Sequence, residues 1–161
     1  MQITGKNFGT IRPGEEIKVS EANGSTIKGI VACRNVLENS LIMAGGLAII
    51  SSLAVERTGK SFSEFSVFPQ FYSYLVQNKM LVTRMNEIRV GDCILVSSDG
   101  FKTVRVLTIA VYDPDRDIAF DTGGMPIDIN KMKIAKTGFQ EDTAMILMKG
   151  NHLLCDCVVS E

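Results

Sequence analysis

The sequence predicts an α+β fold: an N-terminal β-hairpin and apolar helices, followed by a mostly antiparallel small β-barrel. Three observations carry this expectation. Asn23-Gly24, a dipeptide that accepts positive φ at both turn centres, separates two strand-like runs. An uncharged stretch then runs from Asn39 to Val55. Beyond residue 80, short apolar runs are punctuated by turn pairs such as Gly91-Asp92 and Asp99-Gly100.

The hairpin is read from EEIKVSEANGSTIKGIVAC, where Ile17 and Val19 alternate with polar residues and Ile27, Ile30 and Val31 follow the turn. NVLENSLIMAGGLAIISSLAVERTG reads next as a helix. Asn35 and Glu38 have capping-box spacing, and Gly59 is placed to end it. A helix apolar nearly all round is buried in a core or lies in a membrane. Residues 36–58 are expected as a core helix, with a membrane-associated segment as the alternative. Gly45-Gly46 weakens a helix and leaves a strand–turn–strand reading open.

Ser61 and Glu64 form a second capping box. Phe62, Phe65, Phe68, Tyr72 and Leu75 then recur at three- and four-residue steps, which predicts an amphipathic helix that Pro69 kinks or restarts. The remaining runs, MLVTRM, DCILVSS, KTVRVLTIAVY, DIAFD, KMKIAK, TAMILMK and HLLCDCVVS, read as strands. The expected organisation is a hairpin-plus-helix region over 1–80 and a barrel-like region over 81–161, able to pack as one domain. Charge supports that division: the first region carries +2 and the second −3, and every aspartate lies in the second.

The chain has 161 residues, enough for a real core, and is 45% hydrophobic and 22% charged, a composition that folds. A net charge of −1 gives no general attraction to nucleic acid or anionic lipid. The four cysteines form no C-x-x-C pair, and MQITGKNFGT lacks the apolar core of a signal peptide. Reduced thiols in the cytoplasm are therefore expected. His152 is the only histidine, which excludes multi-histidine metal sites. No cofactor is expected.

Several short motifs imitate chemistry. AVERTGKS, Ala54 to Ser61, fits the loose form of a phosphate-binding loop, but Glu56 would sit beside phosphate and the interior lacks glycine. IAFDTGG resembles the active-site strand of retroviral-type aspartic proteases, with Asp121 as the carboxylate; that chemistry needs two carboxylates. DPDRD spaces Asp113, Asp115 and Asp117 as in a calcium loop, without the glycine and glutamate such a loop uses. HLLCDC gathers His152, Cys155 and Cys157, yet in a strand the histidine faces away from both thiols. Turns, caps and a buried strand account for the same residues.

NEIRVGDCILVSSDGFKTVRVLTI, followed by MILMKGNHLLCD, resembles part of a Hint domain, the self-cleaving module of hedgehog proteins and inteins. The Val90-Gly91-Asp92 turn, the run Ile94 to Val96 and His152-Leu153-Leu154 carry the likeness. It implies a role for His152 in bond cleavage, with Ser66 or Cys93 as the nucleophile. The same half resembles Tudor and SH3-like barrels, which implies a binding rim; Phe101, Arg105, Tyr112 and Phe120 are its candidates, and equally candidates for the core. Arg84, Arg89, Lys102 and Arg105 could form a local basic patch.

The preferred function is a non-enzymatic binding, regulatory or assembly protein acting through protein contacts, with itself in a homo-oligomer or with a partner. An accessory or structural protein of a virus or phage fits this motif-poor chain, in host cytoplasm or virion. Hint-like autoprocessing is the alternative, and a nucleic-acid-binding β-barrel the third reading. A membrane partner is not expected.

Overall fold

The computed structural model describes residues 2–3, 10–21, 23–50 and 54–141. TAMILMK, HLLCDCVVS, His152, Cys155 and Cys157 lie outside them. Strand takes 51% of the described residues and helix 10%, in two antiparallel sheets that do not close into a barrel. This corrects the α+β expectation: the apolar helix over residues 36–58 is absent, and the C-terminal half is an open sheet.

The first sheet holds β1 (Gln2–Ile3), β2 (Glu15–Ser20), β3 (Thr26–Asn35), β4 (Ser40–Met43), β5 (Ala48–Ile50) and β6 (Ala54–Ser61), in the order β1-β6-β2-β3-β4-β5. β2 and β3 form the hairpin around Asn23-Gly24, with Val19 opposite Ile27. The Asn23 side chain accepts the Ser25 N–H at 2.9 Å, and Gly24 has φ 86.

The expected core helix is two hairpins. Asn35 caps a turn rather than a helix: its side chain accepts the Glu38 N–H at 3.2 Å, and Asn39 reverses the chain at φ 50. A second turn closes through the Gly46 N–H on the Met43 carbonyl. All four residues of β4 are buried. Leu41 and Met43 face one core and Ile42 another. A strand covered on both faces has no polar side to alternate with, so it reads as an unbroken apolar run, like a buried helix.

AVERTGKS is strand β6 from end to end, paired with β2 and β1. Gly59 ends no helix. It sits in a bulge where residues 58–60 stand against Glu16, and Ser61 pairs with Glu15 rather than capping a helix. Ala54 to Arg57 are held in the ladder with β2, an extended backbone that does not curl successive N–H groups around a phosphate.

Glu64–Ser66 forms a short strand, β7, against the second sheet. Helix α1 (Pro69–Gln77) begins where Pro69 places it: at the first helical position the missing N–H goes unused. Phe71 and Leu75, four residues apart, are its buried face.

The second sheet runs β11-β10-β9-β8-β12, from β8 (Asp92–Ser97), β9 (Thr103–Asp113), β10 (Ile118–Asp121), β11 (Pro126–Ile127) and β12 (Lys133–Gln140). β7 joins β9 beside β10. MLVTRM makes only one bridge, Leu81 to Ala135, before a 3-10 turn at Met85–Glu87.

The described residues form three stacked cores. The first lies between the sheets, where Ile17, Val31, Leu41 and Val55 meet Cys93 and Phe139. The second gathers Phe71 and Leu75 of α1 with Cys33, Ile42, Phe65, Leu95 and Phe101. The third covers the outer face of the second sheet, where Val82, Met85 and Ile88 lie over Ile94, Leu107 and Ile109. β8 is buried on both faces, with Cys93 and Leu95 turned one way and Ile94 and Val96 the other.

The β8–β9 turn is tied by one carboxylate. Asp99 accepts the Thr103 N–H at 3.0 Å, the Ser97 hydroxyl at 2.7 Å and the Lys102 N–H at 3.1 Å. Those bonds, the Thr103 backbone foremost, lower its pKa from 3.8 to about 2. The folded value lies below the unfolded one. The stability it adds is therefore complete above about pH 4 and is lost as pH falls towards about 2. Urea midpoints measured across that range should fall with acid in the parent and fall less steeply in Asp99→Ala.

Candidate functional site

A depression lies where three segments converge: the end of β3 with its turn, the end of α1, and the end of β12. Its volume is about 680 Å³. The convergence begins with a bulge. Lys136 pairs with Ile94 and Gln140 with Asp92, so residues 137–139 stand against Cys93 alone. Thr137 fills the gap in the ladder: its hydroxyl donates to the Cys93 carbonyl at 2.6 Å and accepts the Phe139 N–H at 3.2 Å. Gly138 lies at φ 80, and a Cβ there would come within 2.7 Å of the Arg34 carbonyl oxygen. Only glycine lets β12 pass β3 this closely.

Around that crossing stand Arg34, Lys79 and Lys136, with Leu37, Tyr74 and Phe139. The Arg34 guanidinium lies over the Phe139 ring at 5.5 Å. Among the described residues Asp92 is the single acidic one lining it; its carboxylate accepts the Arg89 N–H and the Gln140 side-chain amide, each at 3.0 Å. The Tyr74 hydroxyl is shut from solvent with no hydrogen-bond partner among the described residues. Burial raises the Tyr74 pKa, with Cys33 and Glu38 adding to it and Asn35 opposing. At the rim, Val36 is 58% and Leu37 98% exposed.

The residues singled out from the sequence fall elsewhere. Cys93 is the exception in place but not in exposure: it borders the groove with its side chain in the inter-sheet core. Burial, first among its causes, pushes that thiol up to about 11. Cys33 is likewise buried and its thiol raised by desolvation. A nucleophile needs the thiolate. Both thiols are expected to resist iodoacetamide at about pH 8 in the native protein and to react once it unfolds; rapid labelling of native Cys93, counted by mass spectrometry, would contradict its burial.

Ser66 is exposed on β7 opposite Thr103, while Cys93 pairs with Thr108 on the other edge of β9. Five residues of strand separate those registers, roughly 17 Å. Ser66 and Cys93 therefore share no site.

Phe101 is 3% exposed, in a left-handed conformation at φ 65, and packs on Tyr72 at 5.5 Å between centroids. Arg105 is exposed and faces Glu64 at 3.7 Å. Tyr112 packs on the third core and donates its hydroxyl to Asp117 at 2.6 Å. Phe120 pairs with Val111, one step along from the Tyr112–Ala119 pair, and so takes the opposite face of the sheet. Arg89 and Arg105 line separate depressions.

The catalytic look-alikes are turn caps. Asp121 accepts the Gly123 and Met125 N–H groups at 3.0 and 2.6 Å. Asp113 accepts the Asp115 N–H at 3.0 Å and meets Arg116 at 3.5 Å. Among the described residues no group of three or more His, Cys, Asp or Glu could hold a metal ion, and no helix is long and apolar enough to cross a membrane.

Sequence reasoning missed the groove because its cations come from residues 34, 79 and 136, which share no local pattern. The one local sign was Gly138 inside a strand run, which marks a bulge or a close approach. No protein-family model, no characterised protein and no solved structure matches this chain.

Proposed function

We propose that this chain is a non-enzymatic binding or assembly protein of the cytoplasm that works through protein contacts. The observation that carries the reading is the β3–β4 turn. Its two strands are paired to the last residue, Asn35 opposite Ser40, and Asn35 caps it. Yet the turn holds two aliphatic side chains in water, Leu37 almost fully so. Single exposed leucines are ordinary. This one stands with Val36 on the rim of the groove between β3, α1 and β12, on a turn whose shape is already set. Covering such a side chain gains roughly 1.5–3 kcal/mol, and little ordering entropy opposes it.

The test is intact mass and light scattering on one preparation, with Leu37→Asp beside the parent. The expected result is an unshortened chain in a defined oligomer or in a complex with a co-purifying protein. Leu37→Asp should weaken that association about tenfold or more without lowering the melting temperature. A shortened chain whose cleavage His152→Ala abolishes would replace this reading with autoprocessing. A monomer that holds no partner, with Leu37→Asp behaving as the parent, would overturn it.

A further inference from the structure

Among the described residues, the Ser40 and Tyr74 hydroxyls are both shut from solvent without a hydrogen-bond partner. They come from different elements, β4 and α1, and the fold brings them to one place. Ser40 is 2% exposed and stands opposite Asn35 in the β3–β4 ladder. Residues directly opposite in an antiparallel pair put their side chains on the same face, with Cβ atoms about 5 Å apart. Two residues along, Cys33 and Ile42 share that face, and both pack against Phe71 and Leu75 of α1. The helix therefore covers Ser40 and Asn35 as well. Tyr74 packs on the same core, and Asn35 and Cys33 both act on its hydroxyl.

A buried hydroxyl left unpaired costs stability, and folded proteins rarely keep one. Here two lie beside one further polar side chain. The oxygen of Asn35 accepts the Glu38 N–H at 3.2 Å, and its NH2 group is a donor. Space adjoins them, because Asn35 and Tyr74 both line the groove between β3, α1 and β12. A water molecule is held inside a protein where two to four polar groups converge on enough room for it.

We infer that Ser40, Tyr74 and Asn35 form an internal binding site for one water molecule. The water accepts from the Asn35 NH2 group and exchanges one hydrogen bond with each hydroxyl. It ties α1 to the β3–β4 hairpin by a polar link beside a contact that is otherwise apolar. Other occupants fit less well. An ion would lose its hydration beside Ile42, Phe71 and Leu75, and an apolar molecule would leave both hydroxyls unpaired. The inference is independent of the protein-contact reading.

The test is a double-mutant cycle joined to NMR of the full chain. Ser40→Ala and Tyr74→Phe each delete one oxygen atom and keep the packing. Each is expected to lower the folding equilibrium constant about fivefold or more in urea titrations. The double variant should lose little beyond the worse single one, because the first deletion already breaks the shared bridge. In the parent, cross-relaxation from a long-lived water should reach the Ser40 amide and the Tyr74 ring protons, and the double variant should lose it.

Four results would overturn the inference. Single variants as stable as the parent, or more so, would mean that the hydroxyls are simply unpaired. A loss in one variant alone would assign that hydroxyl a direct bond to Asn35. Additive losses would give the two hydroxyls separate partners. Coupled losses without the water signal would mean that the hydroxyls bond to each other.

Discussion

Phe71→Ala is expected to destabilise the protein by about 3–5 kcal/mol, the largest loss from a single side chain in this fold. Phe71 is fully buried and is among the largest side chains so buried. It is also the chief contribution of α1, a helix with no side-chain cap on its first turn and no basic residue in its last. A nine-residue helix is marginal by itself. What holds it is the seating of Phe71 and Leu75 among Cys33, Ile42, Phe65, Leu95 and Phe101. Those neighbours come from both sheets, so the cavity has rigid walls and collapses poorly. A domain of this size has about 5–15 kcal/mol in all. The variant should fold, with a melting temperature lower by roughly 10 °C and a lower urea midpoint. Val76→Ala, one turn position away and half exposed, should change the midpoint by less than about 0.5 kcal/mol. Similar losses for both would mean that α1 does not dock through Phe71. The same helix carries Tyr74 and leads into Lys79, so Phe71→Ala should also loosen the groove.

What the sequence disclosed follows the physics of each signal. Asn23-Gly24 was legible as a turn, though only Gly24 takes the positive φ expected at both centres; Asn23 serves through its side chain, which accepts the Ser25 N–H. β8 to β10 were legible because β-branched runs between Asp and Gly turns have few other outcomes. The helix expected over residues 36–58 failed for a reason of the same kind. A capping box and a turn cap use one chemistry, an Asn side chain accepting an N–H three residues on, and Asn35 makes that bond in a hairpin. The residues between are apolar because β4 is covered on both faces. Periodicity then has nothing to report, and the Gly45-Gly46 pair was the better witness. Closure into a barrel was not legible either way, since it depends on which strands meet at the edges and not on their number. The groove was invisible for a deeper reason. Its cations are about forty and sixty residues apart in the chain, and only the Gly138 crossing brings them together.

Gly14→Ala is the second change expected to be severe, at about 3 kcal/mol, and its argument is geometric. Gly14 lies at φ 91, where a side chain costs about 1–2 kcal/mol by itself. Its N–H donates to the Val31 carbonyl at 2.7 Å, and its own carbonyl accepts the Phe62 N–H at 2.8 Å. Those two bonds stitch the start of β2 to β3 and to the segment joining β6 and β7. A Cβ at Gly14 would overlap the Phe62 carbonyl oxygen, which is backbone and has no rotamer to give way. It would also meet Val106 of β9 at 3.5 Å. The methyl group therefore pushes at the junction of the two sheets, where Val106 packs against the inter-sheet core. Gly24 supplies the control. It has φ 86 and nothing within 4 Å of its would-be Cβ, so Gly24→Ala carries the conformational cost without the overlap. Chemical denaturation of the pair should separate them by about 2 kcal/mol, with Gly14→Ala the weaker protein. Equal losses would show that the sheets can part at this junction without strain. The set crossing of β12 over β3, on which the groove depends, would then have to be held by Gly138 and the first core alone.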